Sequence, residues 1–182
     1  MWLERRVGVA NLAYAFAAAA LSLGVGSPTP WLLATSFVHY GLYVVTFHER
    51  RPASFAVFVR DALFFQTLAM VSLIGCYVVA WTGADGWSLI TIVLGFGLAT
   101  LASARLGWRR TYFAEELGIL PPRRIRAFPY GTIPHPMIVG AVVGLLGVEL
   151  YEPVRARWPW IIPMHVAGTR SIWRKRSSRR VA

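Results

Sequence analysis

A chain of 182 residues suffices for one domain, and 56% hydrophobic against 15% charged residues, at a mean hydropathy of +0.51, excludes an ordinary water-soluble globule. The formal charge is nevertheless +11, carried by 18 arginines and one lysine, Lys175. These cations fall between long apolar stretches and not along one solvated face, which argues for an integral membrane protein and against a nucleic-acid binder.

Crossing the hydrocarbon takes about 20 apolar residues in a helix. Four segments come close: 7–25, 31–47, 62–82 and 87–104. The first follows Arg5 and Arg6. Its apolar run is longer than the roughly 7–15 residues of a signal peptide, so it reads as a retained helix. The second contains His39 beside Tyr40. That histidine is either neutral and bonded to another helix or an intramembrane functional group. His48 lies in the basic loop that follows and reads as interfacial. The single cysteine, Cys76, reads as a small core residue of the third span; it excludes an intrachain disulfide and a multi-Cys metal site, and no metal is expected. Trp31, Trp81, Trp87 and Trp108 stand near segment ends, where amphipathic rings prefer to sit.

The arginines set the topology. Arg50, Arg51 and Arg60 lie between the second and third spans, and Arg105, Arg109, Arg110, Arg123, Arg124 and Arg126 follow the fourth. The loops after the first and third spans, which include 27–30 and 83–86, have no Lys or Arg. This alternation places the N-terminus and the segment after span four in the cytoplasm.

After Ala127 the pattern changes. The apolar run 136–150 has 15 residues, about 22 Å of helix, too short to cross alone. The run 158–167 is shorter and contains Pro159 and Pro163. Together 136–168 predict a helical hairpin that enters the membrane without fully spanning it, with Arg155 and Arg157 at its tip. The tail 170–182 carries six basic residues, suited to anionic lipid headgroups on the cytoplasmic face or to a substrate phosphate. The expected fold is an all-α integral membrane protein, one domain over 1–182, with four transmembrane helices, a C-terminal hairpin and interfacial segments. Both termini are expected in the cytoplasm, and the chain is compatible with a homo-oligomer.

Three features bear on chemistry. Gly95-Phe96-Gly97 inside the fourth span suits either close helix packing or a wall against which a cofactor lies. Gly140 and Gly144, four apart, read as packing. Glu115 and Glu116 sit near Arg109 and Arg110 and read as surface ion pairs. In Pro134-His135-Pro136, each proline biases its predecessor away from helix. Pro136 suits a first helical position, which puts His135 at a helix N-terminus, where N–H groups and the dipole favour an anionic ligand group. His135 is then a ligand contact or a capping side chain.

From Gly95 to Gly140 the chain resembles the phosphatidylethanolamine N-methyltransferases and, more distantly, the isoprenylcysteine carboxyl methyltransferases. Four features in order carry the resemblance: Gly95-Phe96-Gly97, "YFAEELGIL" from Tyr112, "FPYG" from Phe128, and "HPMIVG" from His135. The resemblance implies S-adenosylmethionine as cofactor, bound through the G-x-G helix and the C-terminal segments. Carried over residue by residue, it implicates Gly95, Gly97 and Tyr112, then Phe128, Pro129 and Tyr130, then His135, Pro136, Met137 and Gly140. The family's tyrosine after the proline is Ile138 here. Its C-terminal Glu-Glu pair aligns with His165 and Val166, which adds His165 to the cofactor residues. "ELYEP" from Glu149 is a second candidate for that pair, although it falls early along the chain.

The implied reaction is methyl transfer to a membrane-embedded lipid, foremost the amine headgroup of phosphatidylethanolamine or its methylated derivatives. An ammonium must lose a proton before it attacks, and His135, Glu149, Glu152 and His165 are candidate acceptors. The alternatives are carboxyl methylation of a prenylated cysteine or another small hydrophobic acceptor, and a non-catalytic membrane protein that keeps the fold. A sterol-type reductase fits less well, because those chains are generally longer. Haem ligation lacks an evident second histidine to face His39.

Overall fold

The computed structural model describes residues 8–49 and 55–178, with the side chains of 8–46 and 55–170. Arg5, Arg6, Arg50, Arg51, Arg179 and Arg180 lie outside the described residues, as do the side chains of His48 and of the tail from Ser171 onward. Among the described residues every element is a helix and no strand occurs. In chain order they are α1 (Val9–Gly24), α2 (Thr29–Ser36), α3 (Val38–Glu49), α4 (Phe55–Val79), α5 (Gly86–Leu106), α6 (Trp108–Thr111), α7 (Pro136–Leu150), α8 (Glu152–Arg157) and α9 (Ile161–Ser178).

Of the four spans that the sequence predicts, two correspond to helices that are by themselves long and apolar enough to cross a membrane, α4 and α5. The helix at the first, α1, has 16 residues, about 24 Å. The second predicted span is broken. The first piece, α2, ends at Ser36, and Thr35 Oγ1 donates to the Trp31 carbonyl at 2.8 Å just before it. The helix restarts at Val38, with Tyr40 and Gly41 N–H both on the Phe37 carbonyl.

The chain divides into two compact units, Met1–Cys76 and Tyr77–Ala182. In the first, α4 buries Ala62, Phe65, Ala69, Leu73 and Cys76, so Cys76 is the core residue expected. Polar groups stitch the unit together. Trp31 Nε1 donates to Ser72 Oγ at 3.1 Å, and Thr35 Oγ1 meets the same oxygen at 3.1 Å. Asn11 Nδ2 donates to Asp61 Oδ1 at 2.8 Å, where Arg60 Nε also binds. His39 is buried, against the rings of Tyr40 and Tyr43.

In the second unit Asp85 caps α5, its Oδ1 accepting from the N–H groups of Trp87 and Ser88. Helices α5 and α7 run antiparallel and touch through glycine. A Cβ on Gly95 would collide with the backbone of Gly144, one on Gly140 would lie 2.5 Å from Ala99 N, and one on Gly147 would lie 2.6 Å from Ile92 N. Small residues let helices approach this closely in lipid. The three pairings share one register, which sets the N-terminus of α7 beside the end of α5, near Ala104. Ser88 Oγ, fully buried, donates to the Gly147 carbonyl at 2.8 Å.

The hairpin takes the form of α7 and α9, joined through the short helix α8. Arg155 and Arg157 are exposed on α8, as placed by the sequence, and Arg157 stacks over the Trp158 ring at 5.1 Å. The second arm is longer than 158–167. Pro159 precedes α9 and Pro163 lies in its first turn, where a missing N–H breaks no helical bond, so α9 continues to Ser178.

Candidate functional site

The segment that links α6 to α7 brings the motif residues to one end of the second unit. Tyr112 closes α6, its N–H on the Trp108 carbonyl at 3.1 Å, and is buried. Burial pushes its phenol up to about 12, so it stays protonated. Glu115 Oε1 accepts from Arg110 Nε at 2.6 Å and from the Arg123 N–H at 3.2 Å. The ion pair expected there therefore also ties down the chain eight residues on.

"FPYG" forms a tight turn. The Pro129 carbonyl accepts from the N–H groups of Thr132 and Ile133, and the Gly131 N–H bonds to the Ala127 carbonyl. Pro129 is fully buried while Phe128 is exposed, and Tyr130 is half-buried. A Cβ on Gly131 would strike the Arg126 carbonyl, which accounts for glycine at the fourth position. Phe128-Pro129 is a cis peptide.

His135 is the N-cap of α7 and Pro136 its first residue, as the proline spacing predicts. Its backbone is left-handed, φ 50° and ψ 54°, and not the extended conformation expected before proline. Its carbonyl accepts from Ile138 N–H at 2.9 Å and Val139 N–H at 3.1 Å, as at any helix start. The imidazole makes no capping hydrogen bond. Met137 is half-buried on the first turn.

The G-x-G pair divides. Gly95 is buried and committed to Gly144, and Gly140 is likewise packed against α5. Gly97 is exposed, and a Cβ there would meet nothing within 4 Å. Of the two glycines only Gly97 leaves surface open for a ligand.

The four candidate proton acceptors are not gathered together. His135 begins α7; Glu149 lies 14 positions on, about 21 Å along the helix. Glu152 is exposed on α8 beyond it. One carboxylate oxygen of Glu149, Oε2, is buried without a hydrogen-bond partner among the described residues. His165 is buried in the second turn of α9, near the α8 end. Among the described residues no group of three or more His, Cys, Asp or Glu is placed to hold a metal.

Sequence reading missed a second cluster at the opposite end. Tyr151 stacks on Tyr77 at 4.4 Å between ring centroids; its hydroxyl accepts from Thr82 N–H at 2.8 Å and donates to the Gly83 carbonyl at 3.1 Å. No motif signals it, because its partners are some seventy positions away in sequence.

Residues 85–172 match the phospholipid methyltransferase family. The chain is also similar to the phosphatidyl-N-methylethanolamine N-methyltransferase of Saccharomyces cerevisiae, 31% identical over 71 residues. That alignment covers 37% of this chain and 34% of the yeast protein, so the match spans about a third of the relative's length. No solved structure matches the chain. The two matches bear out the resemblance drawn from Gly95 to Gly140.

Proposed function

We propose, for a chain whose residues 85–172 carry the sequence of the phospholipid methyltransferase family, an S-adenosylmethionine-dependent methyltransferase acting on the amine headgroup of phosphatidylethanolamine or its methylated derivatives. The family match is the observation that carries this reading. It includes α5, the 112–135 segment, α7, α8 and the first two-thirds of α9. In this reading the chain crosses the membrane through α1, through α2 and α3 together, and through α4 and α5; the α7–α9 hairpin reaches from the cytoplasmic end of α5 to the turn before it, and both termini lie in the cytoplasm.

The residues present fit the cofactor. Gly97 leaves an open helix face that any side chain would fill. Arg105, Arg109, Arg124 and Arg126 are exposed at the same end of α5 and would draw a carboxylate-bearing molecule. Gly97, Tyr130, His135 and Met137 would hold the cofactor, and Tyr112 would support them from below. Gly95 and Gly140 would serve it indirectly, by packing α5 on α7. When bound, S-adenosylmethionine supplies an electrophilic methyl group for in-line displacement. The chain's task is then to align the headgroup nitrogen and exclude water.

His135 would accept the headgroup's proton. It is the one candidate acceptor at the arginine-rich end, whereas Glu149 and Glu152 belong to the far end of α7. His165 lies near the α8 end, away from the arginine-rich end, and would act as a hydrogen-bonding group. Anionic lipid would be held by the basic cytoplasmic face.

The test is to incubate membranes containing the full chain with methyl-labelled S-adenosylmethionine and to identify the labelled product. Label in methylated phosphatidylethanolamine is expected. Label in a base-labile ester of a prenylated thiol would move the acceptor to the carboxyl class. Donor binding without any labelled product would point to another small hydrophobic acceptor, and no donor binding would point to a non-catalytic protein.

A further inference from the structure

Arg155 and Arg157 are exposed on α8, and neither guanidinium has a carboxylate or carbonyl partner among the described residues. Arg157 rests over the Trp158 ring, a contact that leaves its N–H groups for another acceptor. The opposite side of the tip is fixed in the protein: Val154, Trp158 and Ile161 are buried. An arginine in hydrocarbon is costly, so two that lack partners belong where acceptors are plentiful.

The contacts of α7 along α5 set how far the tip reaches. Gly140 packs at Ala99, Gly144 at Gly95 and Gly147 at Ile92. Further on, Ser88 Oγ donates to the Gly147 carbonyl, and the Tyr151 hydroxyl binds Thr82 N–H and the Gly83 carbonyl. Helix α8 starts at the next residue, Glu152, and so lies level with the turn before α5. With 21 residues, α5 is about 31 Å long, close to the hydrocarbon thickness of about 30 Å. Exposed tryptophans mark its two ends, Trp81 and Trp87 at the turn and Trp108 at the other, as in the aromatic belts of membrane proteins. The 18 residues of α9, about 27 Å, are enough for the return.

We propose that the tip of the α7–α9 hairpin, helix α8, binds headgroup phosphates of the non-cytoplasmic leaflet through Arg155 and Arg157, so that the hairpin crosses the whole hydrocarbon layer. The 15 residues of α7 fall short of a crossing alone, and Tyr151 with α8 supplies the rest. Guanidinium groups suit phosphate oxygens in geometry as well as charge. Two arginines at this face against six between Arg105 and Arg126 preserve the charge bias that orients the chain. The inference rests on the four-span membrane reading and is independent of which acceptor is methylated.

The experiment places a single cysteine at Ala156, which is exposed on α8, in the full chain lacking Cys76. In sealed vesicles an impermeant thiol reagent should label Ala156→Cys from the same side as Asp85→Cys and from the side opposite to Arg124→Cys. A fluorophore on that cysteine, in nanodiscs of phosphatidylcholine and phosphatidylglycerol, should be quenched several-fold more by lipid with a nitroxide on its headgroup than by lipid with one deep in the acyl chain. Adding Arg155→Gln and Arg157→Gln should cut the headgroup quenching at least twofold and leave the labelling side unchanged. Labelling of Ala156→Cys from the Arg124 side, stronger quenching from the deep nitroxide, or headgroup quenching that survives the double substitution would each overturn the proposal. If the double variant does not fold, labelling and quenching of the chain with both arginines still decide it. Labelling of Asp85→Cys and Arg124→Cys from one side would sink the four-span reading together with it, whereas opposite sides there with Ala156→Cys following Arg124 overturn this inference alone.

Discussion

Gly95 and Gly97 stand two positions apart on α5 and meet opposite surroundings. A methyl on Gly95 collides with Gly144, so Gly95→Ala should destabilise the protein by about 1–3 kcal/mol through overpacking. Gly97→Ala should not destabilise, since no atom lies within 4 Å of the added carbon, and should gain up to about 1 kcal/mol from the better helix former. Gly97→Leu should abolish donor binding while the protein still purifies folded. Retained binding would make Gly97 an ordinary exposed position.

At the scale of elements, α5 and α7 form the scaffold of the second unit. At the α8 end of the pair the hydroxyl of Tyr151 ties down the turn before α5 through Thr82 and Gly83. Tyr151→Phe keeps the stack on Tyr77 but strands the Thr82 N–H, and should cost about 1–2 kcal/mol in thermal unfolding. Most helix positions were legible in the sequence, because apolar runs and flanking tryptophans mark where helices begin and end. The break in the second predicted span was not. Thr35 reads as an unremarkable residue until its hydroxyl is seen on the Trp31 carbonyl and on Ser72 of another helix. The reach of α9 past Pro163 was also hidden, since a proline breaks a helix or begins one according to where the first turn falls.

For the whole molecule, the arginine distribution predicts which loops share a side of the membrane. Cysteines introduced singly at Asp85 and Arg124, in a background lacking Cys76, should be labelled from opposite sides by an impermeant thiol reagent, Arg124 from the cytoplasm. A cysteine at Thr29 should behave like the one at Asp85, and labelling of Asp85 and Arg124 from one side would end the four-span reading. The membrane class and the basic face follow from summed quantities, hydropathy and charge, which need no coordinates.

The sequence by itself determined the all-helical membrane class, the ends of α5, the start of α7 at Pro136 and the stretch that carries the family resemblance. Each of these is local: a run of apolar side chains, a fixed proline φ, an ordered set of short motifs. Tertiary structure alone decided which glycine of the G-x-G pair is spent on packing, because only the approach of α7 distinguishes Gly95 from Gly97. It also revealed the left-handed backbone at His135, where the proline that follows leads a local reading to expect an extended one.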